Sequence, residues 1–226
     1  MKQYNIYYMQ RSGSHGVINW LCHCFVNTYD TGIYLYNVSK QIDYGQAPST
    51  KRLLVHENTI PSQKSNIIVI LRDPFNWAAS VRHCDLQWKK KIQTSRKNFP
   101  LGITITPEVK KGLGCKRTAD LYVGIANKIE QYPTILFNEW FSSKRYRKQV
   151  CKDFELKYTD KGLNDVPFFG GGGSSFDGMN FEHEARKMDV LNRWKEYKDD
   201  SVYLNFFKEN PKLVEVSEQI FDFNPL

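Results

Sequence analysis

The stretch Asn5-Ile6-Tyr7-Tyr8-Met9-Gln10-Arg11-Ser12-Gly13-Ser14-His15-Gly16-Val17-Ile18-Asn19-Trp20-Leu21 decides how this chain is read. It opens as a short β-favouring run over 5–9 and passes through small polar residues. It then carries apolar side chains at Val17, Ile18, Leu21, Phe25 and Val26, the spacing of one helix face. The stretch predicts a strand, a turn over 11–16 and a helix over 16–29. A small-residue turn at that junction is an anion site, because the first helical amides lack carbonyl partners and the helix dipole favours negative charge. Arg11 adds a guanidinium able to grip phosphate or sulfate oxygens in pairs, and Ser12 and Ser14 add hydroxyls. The plainer reading is a tight turn capped by serine. A Walker A loop is excluded, since the Gly-Lys-Ser/Thr ending is missing.

Outward from this stretch the pattern alternates. Ile33–Tyr36 and Arg52–His56 read as strands, and Asn66–Leu71 is a continuous apolar run of the kind buried on both faces of a parallel sheet. Pro74 stands where a first helical turn tolerates proline, and a helix over Trp77–Trp88 follows. Helices are expected at Thr118–Gln131, Ser142–Phe154, Glu184–Tyr197 and Pro211–Phe221, with a strand at Thr134–Phe137. Strands alternating with helices predict an α/β fold, three layers deep with a central parallel sheet. The 226 residues form one expected domain, with an acceptor-side excursion expected at 82–114 and a glycine-rich loop at 168–178.

Composition bounds the function. A hydrophobic content of 41% with 14% aromatics excludes a disordered chain. The formal charge of +8 points to an anionic partner. The basic stretches lack a recognised base-stacking motif, so no nucleic-acid partner is expected. No apolar run reaches the roughly 20 residues of a membrane span, and no signal peptide precedes the first strand. No membrane partner and a cytoplasmic location are therefore expected. Of the five cysteines, Cys22 and Cys24 flank His23, but residues two apart do not share a helix face. Reduced thiols are expected, and no metal.

A second constellation ends the apolar run: Arg72-Asp73-Pro74, then Ser80 two turns into the helix. Arg72 leaves the carboxyl edge of a core strand, where open α/β sheets bind ligands. A local Arg72–Asp73 ion pair is the alternative.

Together the two constellations resemble the sulfotransferase family. In order and spacing, the Arg-Ser-Gly-Ser loop and the Arg-Asp-Pro…Ser motif are similar to that family's two phosphate-binding elements. Weaker likenesses lie at Ile135–Trp140 and Arg193-Trp194-Lys195. The resemblance implies a P-loop-like sulfotransferase fold and a donor, 3′-phosphoadenylyl sulfate (PAPS; product PAP). Its 5′-phosphosulfate would be held by Arg11, Ser12, Gly13, Ser14, His15 and Gly16, and its 3′-phosphate by Arg72 and Ser80. It implies transfer to a hydroxyl or amine of a small-molecule or carbohydrate acceptor. It also places the catalytic base at His56 or Glu57, just after the strand before the Arg/Ser motif, with Arg11 stabilising the leaving group. Arginine stands where cytosolic members carry lysine, Gly16 stands where an aromatic usually covers adenine, and Asn138 replaces a tyrosine. In place of the family's Arg-Lys-Gly loop there is Gly170–Gly173, in which Gly171, Gly172 and Gly173 would either cradle phosphate through their amides or form a surface lid. Two other readings stay open: a nucleotide- or polyanion-binding module on the same fold, and a P-loop kinase. Acceptor identity and oligomeric state are not fixed by the sequence.

Overall fold

The computed structural model describes residues 2–26, 33–37, 42–43, 51–61, 66–98, 113, 116–166, 174 and 176–226. The quoted stretch forms β1 (Lys2–Tyr8), the loop and α1 (Ser14–Val26). Then come β2 (Ile33–Asn37), β3 (Ile42–Asp43), β4 (Lys51–Glu57), β5 (Ile67–Leu71) and α2 (Pro74–Asn98). The rest comprises α3 (Lys116–Ala126), β6 (Thr134–Leu136), α4 (Phe137–Ser142), α5 (Lys144–Asp153), α6 (Ser201–Glu209) and α7 (Pro211–Phe221).

The strands form one sheet in the order β3-β2-β4-β1-β5-β6, parallel throughout except for the short antiparallel β3. All five residues of β5 are buried, as a strand covered on both faces requires. Strand alternation divides the core. Tyr4, Ile6 and Tyr8 of β1 pack with Leu53, Val55, α1, Trp140 and Cys151, whereas Tyr7 and Met9 pack with Phe75, Trp77, Tyr122, Phe206 and Leu213 on the opposite face. Helices therefore cover both faces, and the expected three-layer α/β architecture holds. No helix of the described residues is long and apolar enough to cross a membrane.

Three expectations need correction. The helix expected over Trp77–Trp88 is longer at both ends: α2 runs unbroken from Pro74 to Asn98. Arg82 is buried, and its Nε and Nη2 pair with the Asp200 carboxylate. The helix expected over Glu184–Tyr197 is two 3-10 turns, Ala185–Lys187 and Arg193–Tyr197. Between and around them the chain is held by tertiary bonds: the Asn76 amide donates to Leu191 O at 2.8 Å, and Trp194 N donates to Asn76 Oδ1 at 3.3 Å. Helix α6 was not foreseen; it is capped by Asp200, which accepts from Tyr203 N, and buries Tyr203, Phe206 and Phe207. The strand before α4 also stops at Leu136, one residue short of the expected end. Gly170–Gly173 and residues 99–112 lie outside the described residues.

Candidate active site

The β1–α1 junction is built tightly. Met9 O accepts from Ser12 N at 3.2 Å, Asn58 Oδ1 from Gln10 N at 2.9 Å, and Gln10 O from the Trp77 indole at 2.9 Å. Arg11 sits at φ +69°, a conformation non-glycine residues take rarely and chiefly where surroundings enforce it. Gly13 is at φ +75°, and a Cβ there would stand 2.3 Å from the Phe137 ring. Only glycine lets the loop backbone lie against that ring. Gly16 lies beneath Trp140: a Cβ would be 3.4 Å from Cη2 of its indole. An aromatic from α4 thus covers the position where the resemblance places one directly after the loop.

Arg72 emerges from β5 fully enclosed, with 1% of its surface exposed. Its Nη1 donates to Ser80 Oγ at 3.1 Å and reaches Arg11 O at 3.5 Å, while Nη2 donates to Val190 O. Its Nε is buried without a hydrogen-bond partner. The guanidinium lies 5.1 Å from the Phe137 ring centre. Asp73 turns to other partners, capping α2 through Asn76 N at 2.7 Å and accepting from the Asn138 amide at 2.9 Å. Ser80 is wholly buried and its hydroxyl donates to Asn76 O at 3.1 Å, which seats it beneath Arg72.

One cleft of about 970 Å³, solvent-filled space included, gathers much of this set. Arg11, Gly13, Ser14, His15, Gly16, Glu57 and Arg72 all line it. Ser12 and Ser80 lie behind the wall; the Ser12 hydroxyl is enclosed with no hydrogen-bond partner. His56 faces the other side of the sheet. It stacks on Tyr7 with ring centres 4.3 Å apart, and its Nε2 lies 3.1 Å from Asn5 Oδ1. Burial lowers its pKa. Glu57, the next residue along β4, faces the cleft from a buried position.

Two parts of the cleft carry no site role in the sequence reading, although Arg193 and Trp140 stand in its weaker likenesses. The first is Arg193, buried on the 3-10 turn 193–197, whose Nη2 donates to Ser174 Oγ at 2.7 Å and to Asp177 Oδ2 at 2.8 Å. Burial first, then the neighbouring Arg193 charge, lowers the pKa of Arg72. Burial also lowers Arg193, with Asp177 opposing. Cys84 on α2 feels both Arg11 and Arg193, although burial outweighs them and leaves its thiol raised. Three guanidiniums against the two carboxylates Glu57 and Asp165 therefore line one cleft. Of the three, Arg72 and Arg193 are buried and Arg11 is exposed; Arg193 is paired with Asp177, and an anion in the cleft offsets the cost of burying the Arg72 charge. The second missed part is an apolar wall, to which Trp140, Phe141, Leu163, Val166 and Met188 contribute.

No family model and no curated protein matches this chain. One solved structure similar to it is a crystal structure of mouse sulfotransferase SULT7A1 complexed with PAP. The match covers 99% of this chain and 86% of that one, with 13% identity and a TM-score of 0.45.

What the cleft can bind is set by its own residues. An orphan Arg72 Nε, a second arginine beside it and a glycine-dependent loop at a helix N-terminus suit a ligand with two anionic groups. The apolar wall suits a planar ring.

Proposed function

We propose that this protein is a sulfotransferase that moves the sulfuryl group of PAPS onto a hydroxyl or amine of a small-molecule or carbohydrate acceptor. The observation that carries the proposal is the convergence of the Arg11–Gly16 loop, Arg72 and Glu57 on one cleft. Arg11 and the amides of Gly13, Ser14 and His15 hold the 5′-phosphosulfate, while the Gly16 amide donates to Gly13 O at 3.1 Å and closes the turn. Arg72, seated on Ser80 and joined by Arg193, holds the 3′-phosphate. Trp140 and Phe141, with Leu163, Val166 and Met188, give the adenine an apolar wall.

The donor supplies the sulfuryl group, and the chain supplies positioning, charge and a proton acceptor. Glu57 takes the proton of the acceptor hydroxyl or amine as that atom bonds to sulfur. Arg11 and the loop amides balance the charge left on the phosphate when its bond to sulfur breaks, a preorganised stabilisation that costs no rearrangement. Arginine stays protonated, so Arg11 acts by charge and hydrogen bonding and gives up no proton. His56, on the far side of the sheet, supports β4 and Tyr7.

The test is transfer of label from ³⁵S-PAPS to a panel of phenols, sugars and amines. Labelled product is expected with one acceptor class, and Arg11→Ala lowers its rate about a hundredfold or more. Bisphosphonucleotide binding with no transfer to any acceptor would make the protein a binding module instead.

A further inference from the structure

Two cysteines that the proposed mechanism does not use face each other inside the protein. Cys24 lies near the end of α1 and Cys151 near the end of α5, and 0% and 1% of their surfaces are exposed. Their Sγ atoms are 3.7 Å apart, in hydrogen-bond contact. A disulfide requires about 2.05 Å, so the bond closes on a further approach of about 1.7 Å. Cys22 is two residues away on the same helix, about 200° around the axis, and is partly exposed.

The contact also separates the two thiols chemically. It lowers Cys151, with burial opposing, and it raises Cys24, with burial adding to the rise. Cys22 is pushed up to about 12 by burial. Among the described cysteines, Cys151 is the one whose pKa is lowered, and the thiolate is the form that attacks an oxidant.

We propose that Cys24 and Cys151 form a reversible disulfide that ties the helix behind the anion loop to the helix behind the aromatic wall of the cleft. With hydrogen peroxide as oxidant, the Cys151 thiolate attacks one peroxide oxygen, giving a sulfenic acid and releasing hydroxide. The Cys24 sulfur then attacks the sulfenic sulfur; the S–S bond forms and the second oxygen leaves as water. Both thiol protons end in water, so two thiols and one peroxide give one disulfide and two waters. The bond closes a chain loop of more than 100 residues, the range in which a crosslink most restricts the unfolded state.

The experiment uses the folded, full-length protein. It is treated with hydrogen peroxide, blocked with N-ethylmaleimide and digested with trypsin without reduction. Cleavage after Arg11 and Lys40, and after Lys148 and Lys152, places Cys24 and Cys151 on separate peptides, 12–40 and 149–152. The expected result is a linked pair of these peptides whose fragmentation assigns the bond to Cys24. The melting temperature rises by about 5 °C or more and returns on adding dithiothreitol. Cys22→Ser keeps both effects and Cys151→Ala abolishes both. The proposal is overturned if treated wild-type protein yields no such pair, if peptide 12–40 is linked through Cys22, or if oxidation ends at sulfinic acid. The wild-type peptide map decides this without any variant, and it is independent of whether the cleft binds PAPS.

Discussion

Glu57 and His56 are neighbours on β4, yet only Glu57 reaches the cleft; His56 lies flat on Tyr7 across the sheet, its ring 8° from parallel. The pairing of Tyr8 with Glu57 and of Tyr7 with His56 sets this division. Tyr8 and Glu57 share the α1 face with the Arg11–Gly16 loop, and Tyr7 and His56 share the face of α2 and α3. In a strand, neighbouring side chains cannot exchange faces without a slip in register. Glu57→Gln is therefore expected to lower kcat about a hundredfold or more while PAP affinity stays near wild type. His56→Gln should keep turnover near the wild-type level. Steady-state kinetics and PAP titration of the two variants check this.

His56 has a second, thermodynamic signature. Burial lowers its pKa in the folded protein, so the unfolded chain takes up the proton first as pH falls. The contribution of His56 to stability is thus complete above the unfolded value of about 6.5 and declines below it, until the folded pKa is passed. Urea unfolding between pH 8 and pH 5 should show a falling midpoint whose slope is smaller in His56→Gln.

Gly13 tests the loop. Its positive φ and the Phe137 ring 2.3 Å from a Cβ leave an alanine no unstrained place. Gly13→Ala should destabilise the fold by about 2 kcal/mol or more. Gly16→Ala, whose Cβ would meet Trp140 at 3.4 Å, should cost less. Thermal unfolding of both variants gives the ranking, and equal losses would contradict the loop geometry described here.

Much of the site was legible locally. The β1–loop–α1 stretch and β5 with Pro74 announce themselves through periodicity, small residues and a proline at a helix start, all short-range signals. What escaped depends on contacts distant in sequence. Arg193 joins Arg72 from 121 positions further along the chain, and its turn is held by Asn76. Helical periodicity therefore misled over Glu184–Tyr197, where side-chain bonds to Val190 and Leu191 replace a regular helix ladder. The choice between His56 and Glu57 needed the register of β4 against β1, which neither strand encodes alone. Trp140 was visible as part of a motif, but that it covers Gly16 follows only from how α4 packs on α1.

The central claim is that Arg72, Arg193 and the Arg11–Gly16 loop grip one bisphosphorylated nucleotide. Thermal unfolding with and without PAP tests it most directly. At about a hundred times the dissociation constant, binding should raise the melting temperature by about 5–10 °C, and Arg193→Gln should lose most of that rise while remaining folded. An unchanged melting temperature at millimolar PAP would contradict the account.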